Sequence, residues 1–264
     1  MTKKALFSLQ GQTILVTGAA GHLGQSLCRY LVLDGAKVIA VDIDAGGLQK
    51  LQQVAGGASS SLVVVAADLG NERERVRLAE AVRTVSGHLD GAVFAAAFVG
   101  TSNLAGWAVD FQEQTLASWR AALELNLTAP FHLTQLLAGL LRSGTHPSIV
   151  NVGSIYGSNA PDWSFYEGLS MANPAGYAAS KGGLIQLTRW LASVLAPDIR
   201  VNMVSPGGIA RSQPAAFVDR YIRRTPMRRM ATEQDVVSQI ANLLSQGSAY
   251  MTGQVITVDG GFTL

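Results

Sequence analysis

The sequence contains a single cysteine, Cys28, so no disulfide can form within the chain, and a reducing compartment fits. Charge is also scarce. Asp, Glu, Lys and Arg make up 14% of the 264 residues, and the net charge is +2. That composition argues against long disordered tails and leaves no basic field for nucleic acid or a membrane surface. The four histidines, His22, His88, His132 and His146, are scattered at no metal-ligand spacing, so no metal is expected. The longest apolar stretches, "SLVVVAA" and "AVFAAAFVG", are too short to span a bilayer. The apolar run behind Lys3 and Lys4 is too short for a signal peptide. The expectation is a soluble, cytoplasmic protein in which Cys28, set among apolar residues of a predicted helix, is core packing.

What the chain does have is 48% hydrophobic residues in a regular alternation. Apolar, β-branched runs at 13–18, 37–42, 62–68, 91–97, 148–154, 199–206 and 254–260 read as strands buried on both faces. Amphipathic segments near 22–34, 45–54, 71–86, 115–141, 175–196 and 232–245 read as helices between them. No linker or repeat divides the chain. The pattern predicts an α/β fold, a doubly wound parallel Rossmann sheet of about seven strands with helices on both faces, as one domain over 1–264.

The first strand runs into "TGAAGHLG", which places Gly18, Gly21 and Gly24 between a strand and a helix. Such a turn lets backbone approach a diphosphate, and the helix N-terminus adds free N–H groups and partial positive charge. Asp42 ends the second strand, 18 residues after Gly24. A carboxylate there accepts both hydroxyls of an adenosine ribose and repels a 2′-phosphate. With no Lys or Arg between Thr17 and Gly24, the expected cofactor is NAD(H). Asp68, after the third strand, either bonds an adenine amino group or caps the helix starting near Asn71. In "YAASK", Tyr177 and Lys181 are four residues apart and share a helix face. A fixed positive charge beside a phenol lowers its pKa, so the pair is either a tuned acid/base or a plain surface pair.

Together the glycine turn, Asp42, Ser154, Tyr177-x-x-x-Lys181 and "SPGGI" resemble the short-chain dehydrogenase/reductase family over essentially the whole chain. The resemblance implies hydride transfer between a nicotinamide and a carbonyl or alcohol. It implies Tyr177 as general acid/base, Lys181 as the group that lowers the tyrosine pKa and holds the nicotinamide ribose, and Ser154 as hydrogen-bond partner of the reacting oxygen. Asn126 matches the asparagine that holds a water on the proton path, although a helical Asn also serves to bond a backbone carbonyl. Cofactor contacts are implied at Gly18, Gly21, His22, Leu23, Gly24, Asp42, Asp68, Leu69, Pro206, Gly207 and Ile209. Compact members are usually homotetramers, so a homotetramer or homodimer is expected, with helices 115–141 and 175–196 either forming the interface or burying their apolar faces within one subunit.

Some features depart from the compact pattern. The glycine spacing and the 23-residue step from Ser154 to Tyr177 resemble the longer, nucleotide-sugar-modifying branch. "FAAA" replaces the usual Asn-rich motif after the fourth strand, and Arg211 stands where a threonine is usual. The segment between Ser154 and Tyr177 brings Trp163, Phe165, Tyr166, Glu167 and Met171, which suits a polyhydroxylated ring or a packed loop or subunit contact. "YEGLSM" with "YAASK" is similar to a subgroup associated with flagellin glycosylation and surface-sugar synthesis. Arg220, Arg223, Arg224, Arg228 and Arg229 form a solvated basic helix face, with one or two of them available to an anionic substrate. The expected function is NAD(H)-dependent oxidoreduction of a small molecule, a sugar or sugar derivative that is phosphorylated, nucleotide-linked or free. The rivals are a 3-oxoacyl, polyol or steroid substrate, an NAD-retaining epimerase or dehydratase, and a dinucleotide sensor.

Overall fold

Uniformly apolar runs need cover on both sides, and the chain supplies it with seven parallel strands between two helix layers. The computed structural model describes residues 6–55, 61–100, 102–169 and 171–264. Lys3, Lys4 and Ser170 of the inserted segment lie outside the described residues. The strands are β1 (Thr13–Thr17), β2 (Lys37–Asp42), β3 (Leu62–Ala66), β4 (Gly91–Phe94), β5 (Ser148–Val152), β6 (Arg200–Pro206) and β7 (Val255–Val258). Their order is β3-β2-β1-β4-β5-β6-β7, with every neighbour parallel. The helices are α1 (His22–Leu33), α2 (Ala45–Val54), α3 (Glu72–Val85), α4 (Leu116–Leu123), α5 (Ala129–Arg142), α6 (Ala175–Leu195), α7 (Ala215–Arg224) and α8 (Glu233–Leu244).

Alternation along β1 shows how the layers form. Ile14 and Val16 join Leu27 and Leu31 of α1, Leu48 of α2 and Ile240 of α8 in one buried cluster. Leu15 belongs to the other cluster, with Leu78 of α3, Leu137 of α5 and Leu191 of α6. Each such side chain, fully removed from water, contributes roughly 2 kcal/mol. Cys28 is buried in the first cluster, as expected, and burial pushes its thiol up to about 12.

Several boundaries differ from expectation. β3 stops at Ala66 and β4 at Phe94, short of 68 and 97, because the chain leaves the ladder to form turns at the strand ends. The helix expected over 115–141 is interrupted by a π-helical turn at Glu124–Thr128. Pro130 has no N–H to bond the carbonyl four residues back, that of Asn126, and the wider turn accommodates this.

Arg75 of α3 ties these layers together. It is 2% exposed. Its guanidinium donates to the Leu69 carbonyl at 2.7 Å, to His132 Nδ1 at 3.0 Å, and pairs with Glu124 at 2.7 Å. The turn after β3 is thereby fixed to the π-helical turn and to α5. Arg75→Met leaves a buried carbonyl and a half-buried carboxylate without their donor. Urea denaturation is expected to show a loss of about 2 to 4 kcal/mol; an unchanged midpoint would contradict this role.

Candidate active site

The strand order reverses between β1 and β4, so a crevice opens at the carboxyl ends of these strands. Gly18 adopts φ +69, and a Cβ there would lie 2.7 Å from the Ala96 nitrogen. A Cβ on Gly24 would lie 2.0 Å from the Gly18 carbonyl oxygen. Only glycine lets the turn close at these two places. Gly21 begins α1 with no side-chain cap, which leaves N–H groups near His22, Leu23 and Gly24 for an anion. The Thr17 hydroxyl accepts from the Ala95 and Ala96 amides at 3.1 and 3.2 Å. It supplies the local bonding that "FAAA" lacks side chains to provide.

The Asp42 carboxylate accepts from the Ala20 amide at 2.9 Å and the Asp44 amide at 3.0 Å. These bonds hold it beside the glycine turn, and each oxygen keeps a lone pair for a ribose hydroxyl. Asp68 is exposed and accepts from the Gly70 amide at 2.9 Å. It does not cap α3; Asn71 does, accepting from the Arg73 amide at 3.0 Å. Leu69 is buried beside it.

Ser154, two residues beyond β5, is 7% exposed, and its Oγ accepts from the Tyr156 amide at 3.2 Å. Its hydroxyl lies close enough to the Tyr177 phenol to favour the ionised form of that phenol. Lys181 is 4% exposed; its Nζ donates to the Val152 carbonyl at 2.7 Å and lies 5.8 Å from the centroid of the Tyr177 ring. Serine, tyrosine and lysine thus lie together at the end of β5. Burial pushes the Tyr177 phenol up, and the neighbouring Ser154 hydroxyl acts against that shift. Burial pulls Lys181 in the other direction, down to about 8. Asn126 is buried in the π-helical turn. Its Oδ1 accepts from the Phe98 amide at 2.8 Å, and its Nδ2 donates to the Phe98 carbonyl at 3.1 Å and to Ser180 Oγ at 3.0 Å. The backbone-bonding role therefore holds for its side chain.

At the other wall, the Gly207 amide donates to the Val258 carbonyl at 2.9 Å, and the Gly208 amide donates to the Tyr221 hydroxyl at 2.6 Å. A Cβ on Gly207 would meet that hydroxyl at 2.7 Å. Pro206 ends β6, and Ile209 bridges to Ala231. Arg211 pairs with Glu233 at 2.6 Å.

The inserted segment divides. Phe165 packs with Phe217, Tyr221 and Phe262, so this part is a packed loop. Arg220 of α7 clamps it, donating to the carbonyls of Ser164, Phe165 and Glu167 at 3.3, 3.2 and 2.7 Å. Trp163, Tyr166, Glu167 and Met171 instead line a cleft of about 730 Å³ that reaches Ala178, next to Tyr177. The Tyr166 hydroxyl lies 3.0 Å from that of Tyr156, and burial pushes both phenols up. Of the other arginines, Arg224 bonds the Leu264 carbonyl, Arg228 the Arg223 carbonyl and Arg229 the Asp235 carboxylate. Sequence reasoning missed Thr17, Tyr156, Asn173 and Tyr221. Only Thr17 and Tyr156 carried a signal, one directly before Gly18 and the other two residues after Ser154.

The family model described as enoyl-(acyl carrier protein) reductase matches residues 18–263. A galactitol 2-dehydrogenase (L-tagatose-forming) from Cereibacter sphaeroides is 28% identical over the whole of both chains. A 3-oxoacyl-[acyl-carrier-protein] reductase from Thermotoga maritima is 30% identical, covering 97% of this chain and 99% of its own. The crystal structure of a short chain dehydrogenase from Leptospira borgpetersenii with bound NAD+ superposes with a TM-score of 0.87 at 30% identity, covering 100% of this chain and 97% of that one.

The buried lysine makes a pH prediction. Burial holds Lys181 at about 8 against an ordinary 10.5, so between these values the unfolded chain carries the extra proton and stability rises with pH. The Cys28 thiol and the buried phenols act in the opposite sense from about pH 9 upward, so a comparison with Lys181→Met isolates the lysine. Between pH 8 and 10 the wild type is expected to gain on this variant by on the order of 2 kcal/mol in urea titrations without cofactor. A constant gap would remove the buried-ammonium reading.

Proposed function

The chain belongs to the short-chain dehydrogenase/reductase family, and from that premise we propose an NAD(H)-dependent oxidoreductase that interconverts an alcohol and a ketone on a sugar or sugar derivative. The observation that carries the reading is the buried Lys181 ammonium, held by the Val152 carbonyl at 2.7 Å and 5.8 Å from the centroid of the Tyr177 ring, with Ser154 buried two residues beyond that carbonyl. The nicotinamide cofactor, when bound, supplies or accepts the hydride. The rest falls to side chains. The Tyr177 phenol, kept protonated at neutral pH by burial, donates its proton to the carbonyl oxygen in reduction. Ser154 holds the same oxygen, since a hydroxyl both donates and accepts. Lys181 sits ready to replenish the tyrosine and to hold a ribose hydroxyl. Asn126 fixes the Phe98 loop and Ser180 through its amide. Its carbonyl, without an i+4 donor because of Pro130, is the group we assign to a bound water.

We assign the diphosphate to Gly18, Gly21, His22, Leu23 and Gly24, the adenosine ribose to Asp42, the adenine edge to Asp68 and Leu69, and the nicotinamide to Pro206, Gly207 and Ile209. The carboxylate of Asp42, with no basic side chain in the glycine turn, supports NAD over NADP. Aromatic rings and carboxylates in the cleft and the galactitol-oxidising relative support a sugar-type substrate, of the surface-glycan or flagellin-sugar class. The acyl-carrier reductase relative and the apolar Val109, Leu169 and Met171 in the same cleft favour a 3-oxoacyl substrate as the second reading. Residues 1–264 are taken as one domain working in the cytoplasm. No helix among the described residues is long and apolar enough to cross a membrane. Trp119 of α4 and Trp190 and Val194 of α6 are exposed apolar side chains, which supports these helices as the interface of a homotetramer or homodimer.

Tyr177→Phe is expected to lower turnover by roughly a thousandfold while NAD+ affinity stays near normal. Absorbance at the reduced-nicotinamide band and fluorescence titration measure the two, and equal activity would remove the mechanism. Asp42→Ala is expected to weaken NAD+ binding by roughly tenfold and to narrow its preference over NADP+. An unchanged preference would assign cofactor choice to another group.

A further inference from the structure

We propose that the cleft beside Tyr177 takes substrates without negative charge, and that a ring or polyol carrying a protonated amine is the form it holds best. The proposal rests on the oxidoreductase reading of the site and narrows its substrate class. The lining includes Asp110 and Glu167 but no Lys, Arg or His. Both carboxylates are exposed, and neither forms an ion pair among the described residues. Beside them stand Trp163, 57% exposed, and Phe111, 77% exposed. Carboxylates next to open aromatic faces attract an ammonium through charge and through the ring quadrupole.

An independent observation comes from Asn173 in the same wall. It is 6% exposed, its Oδ1 has no hydrogen-bond partner, and its side chain lies near enough to the Tyr166 phenol to act against the upward shift of that phenol. A buried acceptor of this kind is stabilised by a ligand N–H or O–H and destabilised by a further acceptor. Ammonium and hydroxyl groups bring donors. Phosphate dianions and carboxylates bring only acceptors, and would meet two like charges and this oxygen together.

Arginines do not reverse the sign. Arg220 lies behind the loop on the carbonyls of Ser164, Phe165 and Glu167. Arg211 and Arg229 are paired with Glu233 and Asp235. Among the sugar forms considered from the sequence, the phosphorylated and nucleotide-linked ones are therefore disfavoured, and so is an acyl chain on a phosphate-bearing carrier.

The test is calorimetric titration of the NAD+-saturated protein at neutral pH and low salt with cyclohexylammonium, cyclohexanol and cyclohexanecarboxylate. The ammonium is expected to bind at least roughly tenfold tighter than the carboxylate, with the alcohol between them. In the Asp110→Asn/Glu167→Gln double variant, whose changed side chains are exposed, the ratio is expected to fall to within about twofold. Equal or tighter carboxylate binding, no binding of any of the three, or a ratio that survives the double substitution would each overturn the proposal. The parent reading fails separately: no alcohol or ketone would then change nicotinamide absorbance, whatever the order of charges in the titration.

Discussion

The site depends on one buried ammonium. Lys181 comes from the first turns of α6 and finds its hydrogen-bond partner at the end of β5, in the carbonyl of Val152. An ammonium this deep is tolerated only with an acceptor in place. That bond therefore sets where α6 sits along the sheet. Tyr177, one turn earlier, is carried with it to Ser154, two residues beyond the same carbonyl. The glycine turn and the Asp42 loop occupy the neighbouring strand ends, so the sheet aligns both halves of the site.

The sheet was legible because parallel strands with two covers need apolar residues at every position, and such runs are hard to mistake. Their ends were less so. Ala67 beyond β3 remains buried, its amide donating to the Asp42 carbonyl at 2.9 Å, and the amides of Ala95 and Ala96 beyond β4 donate to the Thr17 hydroxyl, so hydrophobicity continues past the regular strands. The π-helical turn was hidden for a different reason. Its cause, Pro130, is visible, but whether a helix kinks or widens at a missing donor is decided by tertiary packing.

For the site, chemical identity and spacing located Ser154, Tyr177 and Lys181. Electrostatics escaped, because spacing reports distance along a helix and says nothing of depth. At the depth found here, desolvation outweighs the pairwise attraction that spacing suggested. The roles of Asn126 and the arginines were equally invisible: each is decided by partners distant in sequence, such as Phe98 for the one and the inserted segment for Arg220. Asn173 carried no signal at all, since a single asparagine before a proline is ordinary loop composition.

The clamp between Arg220 and the inserted segment has a consequence for transplanting specificity. One guanidinium holds carbonyls of that segment, and Phe165 is locked among rings from α7 and the C-terminal turn, so loop and helix form one exchangeable cassette. A loop moved alone into another scaffold would arrive without its fastening. New substrate pockets on this framework are best built by moving residues 158–174 together with 214–225, as a single block.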